Sequence, residues 1–207
     1  MKAFIYTGGG VDPKRITEHP RSGDLRIAAD AGYRNAKTLG EGVDLLLGDF
    51  DSYTDPLPED IETLRVPTEK DFTDTQLAVE TALARGADEI VIIGGLDGRL
   101  DHTMANLSIL IDLFRRHVPA VITNGLNRVR YLENTGTLIA KSGFSYLSLI
   151  PAEDKVKGVS AEGCLYPLKN ATLKRDTVGF STSNQITGNC ALITVRKGGL
   201  FLIESAS

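Results

Sequence analysis

The first 120 residues alternate short apolar runs with segments whose apolar residues recur at helical spacing. Five runs have the continuous apolar character of strands buried on both faces: AFIY, LRIAA, VDLLL, EIVII and AVIT. Three intervening segments have helical character: YRNAKTLG, TDTQLAVETALARG and LDHTMANLSILIDLFRRH. Buried strands that alternate with helices predict a parallel sheet with helices on both faces.

The second and third predicted helices carry recognisable ends and faces. Thr73 is a good N-cap, Gln76 stands three residues on as in a capping box, and Gly86 ends that helix. The third helix has an apolar stripe of period 3.6, typical of a core-facing surface. The stripe consists of Leu100, Met104, Leu107, Ile111 and Phe114. The basic residues at 115–117 suit the negative end of that helix.

After about Gly125 the pattern changes to short β-rich segments broken by Gly, Pro and Asn. The segments are RVRYLE, TLIAK, YLSLIP, KVKGVSA, CLYPLK and ALITVRKGGLFLIES, and none has strong helical character. Short strands at roughly even spacing predict an antiparallel sandwich or barrel. We therefore expect two domains, an α/β domain over residues 1–124 and an all-β domain over residues 125–207.

Composition narrows the class of protein. The 207 residues carry a net charge of −4, which argues against nucleic-acid binding because phosphate backbones need a basic surface. No apolar stretch approaches the 18 residues of a membrane span, and the first ten residues do not resemble a signal peptide. The two cysteines, Cys164 and Cys190, lack metal-binding spacing, and we expect reduced thiols in a cytoplasmic protein.

Aspartates follow the predicted strands or open the predicted helices. They are Asp30, Asp49, Asp51, Asp71, Asp74, Asp97 and Asp101. Because ligands bind at the carboxyl ends of parallel strands, these carboxylates are expected to converge on one edge of the sheet. Convergent carboxylates without His or Cys favour a hard cation such as Mg²⁺, which commonly bridges to phosphate oxygens.

Each acid also has a purely structural interpretation. Asp49 and Asp51 could form an Asx turn, Asp74 could favour the first turn of its helix, and Asp101 could cap the next one. The glycines at 8–10 could be only a loop, since neither a G-x-x-x-x-G-K-[ST] nor a G-x-G-x-x-G pattern is present. Taken one by one, the acids do not indicate a functional site. They do so only jointly, because all of them are expected at the same edge of the sheet.

Arg99, His102 and Asn106 form a polar group at the start of the third predicted helix. A helix N-terminus next to an arginine is a natural phosphate site. The alternative is that His102 packs against the acids as a structural hydrogen-bonding group.

Three segments together resemble the signature segments of the thiamine pyrophosphokinase (thiamin diphosphokinase) family in order and spacing. They are GDFDS at 48–52, DFTDTQLA at 71–78 and GGLDGRLDHTMANL at 94–107. The late segment FSTSNQITG, at 180–188, is similar to the C-terminal segment of that family. The resemblance implies a Rossmann-like ATP-binding α/β domain, a thiamine-binding β-sandwich and a homodimer with active sites at the subunit interface. The implied reaction transfers diphosphate from ATP to the hydroxyl of thiamine.

The resemblance also implies roles for individual residues. Asp49 and Asp51 match the metal-binding pair, and Asp74 is expected as a third metal ligand. Arg99, Asp101, His102 and Asn106 match the nucleotide-side segment, in which Arg99 and Asp101 are expected to be catalytic. Ser181, Ser183 and Asn184 match the thiamine-side segment. Asp30 is a candidate on the nucleotide side, although Ala31 stands where the family usually has a glycine. Either Asp71 or Asp74 could accept the proton of the alcohol.

Two other functions fit part of the pattern. A nucleotide-sugar transferase also uses Asp-x-Asp after a strand to bind metal and diphosphate, but it leaves DFTD and GGLDGRLDH unexplained. A non-catalytic sensor of thiamine or nucleotide would use the same acids without turnover.

Overall fold

The computed structural model describes residues 1–50, 53, 56–66 and 72–207. The chain forms two compact units, Met1–Gly125 and Leu126–Ser207. Asp51 and Asp71, both expected at the site, lie outside the described residues.

The first unit is built on a parallel sheet, as the alternating pattern predicted. Its strands are β1 (Lys2–Tyr6), β2 (Leu25–Ala29), β3 (Leu45–Gly48), β4 (Glu62–Arg65), β5 (Glu89–Ile93) and β6 (Ala120–Thr123). Their order is β4-β3-β2-β1-β5-β6, and every neighbouring pair is parallel. The chain therefore builds outward from β1 to β4 and then adds β5 on the other side of β1. Ligands bind at such a reversal of strand order, outside the carboxyl ends of the strands.

The described part of this unit also contains three helices: α1 (Gly32–Thr38), α2 (Asp74–Ala84) and α3 (Leu100–Arg115). The cap predicted for α2 is confirmed, because the Thr73 hydroxyl oxygen accepts a hydrogen bond from the Gln76 backbone N–H at 3.2 Å. The helix ends just before Gly86, also as expected. Among the described residues, no helix is both long enough and apolar enough to cross a membrane.

The face predicted for α3 was wrong. The stripe that begins at Leu100 and Met104 is not the buried face, since these side chains are 73% and 49% exposed. The helix instead buries Ile109, Leu110 and Leu113, together with Asn106. Apolar residues occupy two faces of α3, so periodicity alone identified the wrong one.

Strand β4 was not foreseen. Its sequence, ETLR, has no apolar run, and all four residues are exposed. It forms an edge of the sheet and pairs only with β3 among the described strands of this unit.

The second unit consists of antiparallel strands. They are β7 (Asn127–Glu133), β8 (Gly136–Ala140), β9 (Tyr146–Pro151), β10 (Lys155–Glu162), β11 (Leu168–Lys174), β12 (Cys190–Thr194) and β13 (Gly199–Ser205). One set has the order β7-β13-β9 and the other β11-β10-β12-β8. Both sets contribute to one buried cluster that includes Leu149, Val159, Ile193 and Leu202, which confirms the predicted sandwich.

Two details of the second unit differ from the sequence prediction. The segment CLYPLK forms a strand only from Leu168 onward. A short 3₁₀ helix, Val178–Ser181, lies where no regular element was expected. Both cysteines are free thiols, and burial raises the pKa of Cys164.

Candidate active site

A cleft of about 540 Å³ lies at the carboxyl ends of the parallel strands in the first unit. Its described lining combines a glycine loop, acidic side chains and the starts of two helices. The residues are Thr7, Gly8, Gly9, Ala29, Asp30, Ala31, Asp49, Phe72, Thr73, Asp74, Thr75, Gly95, Asp97, Gly98, Arg99, His102 and Asn106. The position agrees with the reversal of strand order at β1 and β5.

Four of the predicted acids that the structure describes line this cleft: Asp30, Asp49, Asp74 and Asp97. Asp30 directly follows β2, with a backbone φ of +47°, and its N–H donates to the Leu47 carbonyl at 2.8 Å. Asp74 occupies the first turn of α2. Strand ends and a helix start therefore bring together carboxylates that lie up to 67 residues apart in the chain.

The turn after β3 presents Asp49. The next residue, Phe50, is buried and has a φ of +60°, a conformation uncommon for a bulky side chain. The Tyr53 N–H donates to the Phe50 carbonyl at 3.3 Å. A left-handed Phe50 buried beside an acid at a cleft is the kind of strain that accompanies functional sites.

The donor set of the cleft fits Mg²⁺. Among the residues that the structure describes, no three acidic, histidine or cysteine side chains form a compact metal cluster. Mg²⁺ does not need one, because it usually keeps several waters and binds one or two carboxylates together with phosphate oxygens. Asp49 and Asp74 supply carboxylate oxygens to the same cleft.

Arg99 and Asp101, predicted as catalytic residues, form an ion pair at the start of α3. The Arg99 Nη2 and Nε atoms donate to the two Asp101 carboxylate oxygens at 2.7 and 3.2 Å. This hydrogen-bonded guanidinium lowers the pKa of Asp101 to about 2, and the pair raises the pKa of Arg99. Arg99 lines the cleft, whereas Asp101 is not among its lining residues. Asp101 therefore orients Arg99. Its carboxylate accepts the backbone N–H of the next residue, His102, at 2.9 Å, rather than an N–H two or three residues later as an N-cap residue would.

His102 and Asn106 line the cleft from α3, but their surroundings differ. His102 is exposed, so the alternative of a packed structural histidine is not what the structure has. Asn106 is 4% exposed, and its Nδ2 donates to the Gly95 carbonyl at 3.0 Å. Gly95 must be glycine here, because its φ is +71° and an added Cβ would lie 2.5 Å from the Asn106 amide.

Several lining residues escaped the sequence analysis. The Thr7 and Thr75 hydroxyls are buried and hydrogen-bonded at 2.8 Å, which ties the end of β1 to α2. Asp97 was among the predicted acids, but its contacts were not foreseen: it accepts the N–H groups of Gly10 and Gly98 at 3.2 and 2.8 Å and so connects two loops. Phe72 is 48% exposed and also lines the cleft. The only signal for these residues was their position after strands or before a helix.

Ala31 fits its position without strain. Its φ and ψ of −59° and −11° are ordinary helical values that any L-residue adopts. The following Gly32 has no such freedom, since an added Cβ would lie 2.0 Å from the Tyr6 carbonyl oxygen. The fold therefore requires glycine at position 32 but not at position 31.

The FSTSN segment belongs to the second unit, and its three predicted residues differ in accessibility. Ser181 and Asn184 are buried, whereas Ser183 is exposed with a φ of +56°. The Asn184 Oδ1 accepts the N–H groups of Tyr166 and Gln185, each at 2.9 Å, and its Nδ2 donates to the Tyr166 carbonyl at 2.7 Å. Asn184 thus holds the segment in place.

Comparison with known proteins gives consistent results over both units. The family model described as the catalytic domain of thiamin pyrophosphokinase matches residues 18–122, and the model of its vitamin B1 binding domain matches residues 136–200. Thiamine pyrophosphokinase of Bacillus subtilis (strain 168) is 30% identical over 217 residues, which cover 99% of each chain. Thiamin pyrophosphokinase 1 of Caenorhabditis elegans is 27% identical over 192 residues, 86% of this chain and 78% of its own.

Solved structures share the fold. The crystal structure of thiamine pyrophosphokinase from Bacillus subtilis superposes with a TM-score of 0.89 over the whole of both chains, at 24% identity. That of a thiamin pyrophosphokinase family protein from Enterococcus faecalis gives a TM-score of 0.84 over the whole of both chains, at 25% identity.

Proposed function

The chain belongs to the thiamine pyrophosphokinase family, and on that premise we propose that it transfers a diphosphoryl group from ATP to thiamine. The thiamine hydroxyl oxygen attacks the β-phosphorus of ATP, and a new O–P bond forms. The bond between the β-phosphorus and the oxygen that bridges to the α-phosphorus breaks. The products are thiamine diphosphate and AMP, and the hydroxyl proton passes to a base.

One observation carries this proposal. A cleft at the reversal of strand order brings Asp30, Asp49 and Asp74 together with Arg99 and the start of α3. Arg99 can donate two hydrogen bonds to phosphate oxygens and compensate charge that develops during transfer. Asp49 and Asp74 would hold Mg²⁺, with Asp51 as a further candidate. When bound, Mg²⁺ neutralises phosphate charge and favours departure of AMP.

A carboxylate beside the reacting alcohol would accept its proton. Asp74 supports this role because it lines the cleft from the first turn of α2. Asp71, three residues earlier in the chain, is the alternative base. Asp101 is a poor base at neutral pH, because its pKa is about 2.

Production of AMP is the test of the proposed function. Purified protein with Mg²⁺ and ATP should release AMP only when thiamine is present, in equal amount to thiamine diphosphate. Thiamine binding without AMP release would contradict catalysis and favour a sensor. Hydrolysis of a nucleotide sugar, with no thiamine dependence, would favour the transferase.

We further propose that the protein is a cytoplasmic homodimer whose two active sites combine the cleft of one subunit with the FSTSN segment of the other. Ser183 supports a thiamine-side role because it is exposed within that segment, while Asn184 maintains the segment's conformation.

Mixed dimers test this arrangement. Asp49→Asn should disable the metal side, and Ser183→Arg should repel the thiazolium cation. Each protein alone should be nearly inactive. Co-refolded mixtures should recover activity, because a mixed dimer has one site with both lesions and one with neither. Mixed dimers that form, as separated by differently tagged subunits, but stay inactive would show that each site lies within one subunit.

A further inference from the structure

Asn35 is a buried residue whose side-chain amide forms hydrogen bonds with the backbone of the glycine loop, residues 7–9. It lies on α1, is 9% exposed and is absent from the lining of the cleft. Its Nδ2 donates to the carbonyl oxygens of Thr7 at 2.7 Å and Gly9 at 2.9 Å. Both residues that accept these bonds line the cleft.

These bonds fix the direction of the loop's peptide groups. The C=O and N–H groups of a trans peptide point in opposite directions. The Thr7 carbonyl is turned toward Asn35, so the Gly8 N–H points away from that buried amide. The Gly8 carbonyl likewise accepts the Gly95 N–H at 2.9 Å, which directs the Gly9 N–H away from Gly95.

The glycine loop therefore presents backbone N–H donors to a ligand, whereas its backbone carbonyl acceptors are already hydrogen-bonded. All three carbonyls, from Thr7 to Gly9, accept protein hydrogen bonds. Within the described parts of the chain, the N–H groups of Gly8 and Gly9 have no protein acceptor. Successive backbone N–H groups in such a loop form a concave site for an anion.

The charges around the loop restrict which anion fits. Asp30, Asp49 and Asp97 also line the cleft, and they repel a bare polyphosphate. A polyphosphate chelated to a divalent cation avoids this repulsion, because the carboxylates bind the cation while the N–H groups bind phosphate oxygens.

We propose that Asn35 is a positioning residue for phosphate binding: it turns the Gly8 N–H toward the phosphate oxygens of Mg·ATP and, by holding the Gly9 carbonyl as well, keeps the loop in the conformation in which Gly95 directs the Gly9 N–H to the same oxygens. This inference rests on the proposed function for the identity of the nucleotide. The loop itself is assigned to the magnesium polyphosphate part of the ligand, and adenosine binding does not depend on Asn35.

Asn35→Asp is the informative variant, because it keeps the size of the side chain and replaces the NH₂ group that donates both hydrogen bonds by a carboxylate oxygen. That oxygen would repel the Thr7 and Gly9 carbonyls and release the loop. By isothermal titration, the Kd of Mg·ATP and of Mg·pyrophosphate should each rise about tenfold or more, as for the loss of two orienting hydrogen bonds. The Kd of adenosine, and the KM of thiamine, should stay within about twofold of wild type.

Thr38→Ala is the matched control on the same helix. Its exposed hydroxyl donates to the Arg34 carbonyl at 2.8 Å, so this variant perturbs α1 without touching the loop. It should bind all three ligands like wild type. Equal weakening of adenosine and Mg·pyrophosphate in Asn35→Asp, or unchanged phosphate binding in a folded protein, would overturn the assignment.

A second measurement uses the unaltered chain and so does not depend on whether the variant folds. In a protein labelled with ¹⁵N-glycine, Mg·pyrophosphate should shift the Gly8 and Gly9 amide protons downfield. Gly40 and Gly86, whose N–H groups already donate to Lys37 and Leu83, should not move. Absence of shifts at Gly8 and Gly9 under saturating Mg·pyrophosphate would overturn the inference. Shifts in a protein that makes no AMP would support it and contradict only the proposed function.

Discussion

Among single residues, Asp49 is the one whose replacement we expect to affect turnover most. Asp49→Asn removes one carboxylate charge from the cleft, and kcat should fall by at least about 100-fold, the scale of one lost electrostatic stabiliser. Steady-state kinetics over a range of Mg²⁺ concentrations will measure this. Asp60→Asn, on an exposed turn, is the control and should keep wild-type activity. Near-normal Mg²⁺-dependent activity in Asp49→Asn would restore the interpretation of this acid as part of a turn.

The Arg99–Asp101 pair predicts a particular pH dependence. The folded-state pKa of Asp101 lies below its ordinary value, so the ion pair is fully formed above about pH 4 and is lost as the pH falls toward 2. Asp101 does not titrate between pH 5 and 9. Asp101→Asn should therefore leave both limbs of the pH profile of kcat/KM in place, whereas Arg99→Ala should lower kcat by about tenfold or more.

A pH series on both variants checks this prediction. Loss of the acidic limb in Asp101→Asn would mean that this carboxylate is the base. Equal kinetic constants for wild type and Arg99→Ala would mean that Arg99 is only the partner of Asp101.

At the scale of elements, α3 offers a direct test of which face supports the fold. Leu110 is 1% exposed and Leu100 is 73% exposed, although the sequence pattern placed Leu100 on the apolar stripe. Leu110→Ala should lower the free energy of unfolding by about 2–5 kcal/mol, and Leu100→Ala should change it by less than about 0.5 kcal/mol. Urea denaturation of the two variants measures the difference. A larger effect for Leu100→Ala would mean that this exposed face is covered in solution.

The same elements show how far the sequence predicts structure. The strand at Leu45–Gly48 and the cap at Thr73 were predictable because apolar runs and capping residues act locally. Strand β4 was not, because ETLR pairs through its backbone and buries no side chain. The face of α3 depends on which neighbour packs against it, and a single helix with apolar residues on two sides does not specify that.

At the scale of the whole molecule, polar residues placed after predicted strands or at predicted helix starts correctly identified part of the cleft lining. Asp30, Asp49 and Asp74 line it, as do Arg99 and His102. The supporting amide of Asn35 was not predictable, because a buried polar residue is identified only by the carbonyls that it meets in three dimensions. The same holds for the bond between Thr7 and Thr75, which joins residues 68 positions apart.

Strand β4 also has a consequence for the motions of the native state. Its backbone pairs with β3, but its four exposed side chains add little burial, so opening it should cost far less than global unfolding. Amide hydrogens of β4 should exchange with deuterium at least about a hundredfold faster than those of β1, in which residues 3–6 are buried. Because the Val66 N–H donates to the Gly48 carbonyl at 3.2 Å, each such opening would also loosen the turn that presents Asp49. Equal protection of the two strands would show instead that the edge and the centre of this sheet open together.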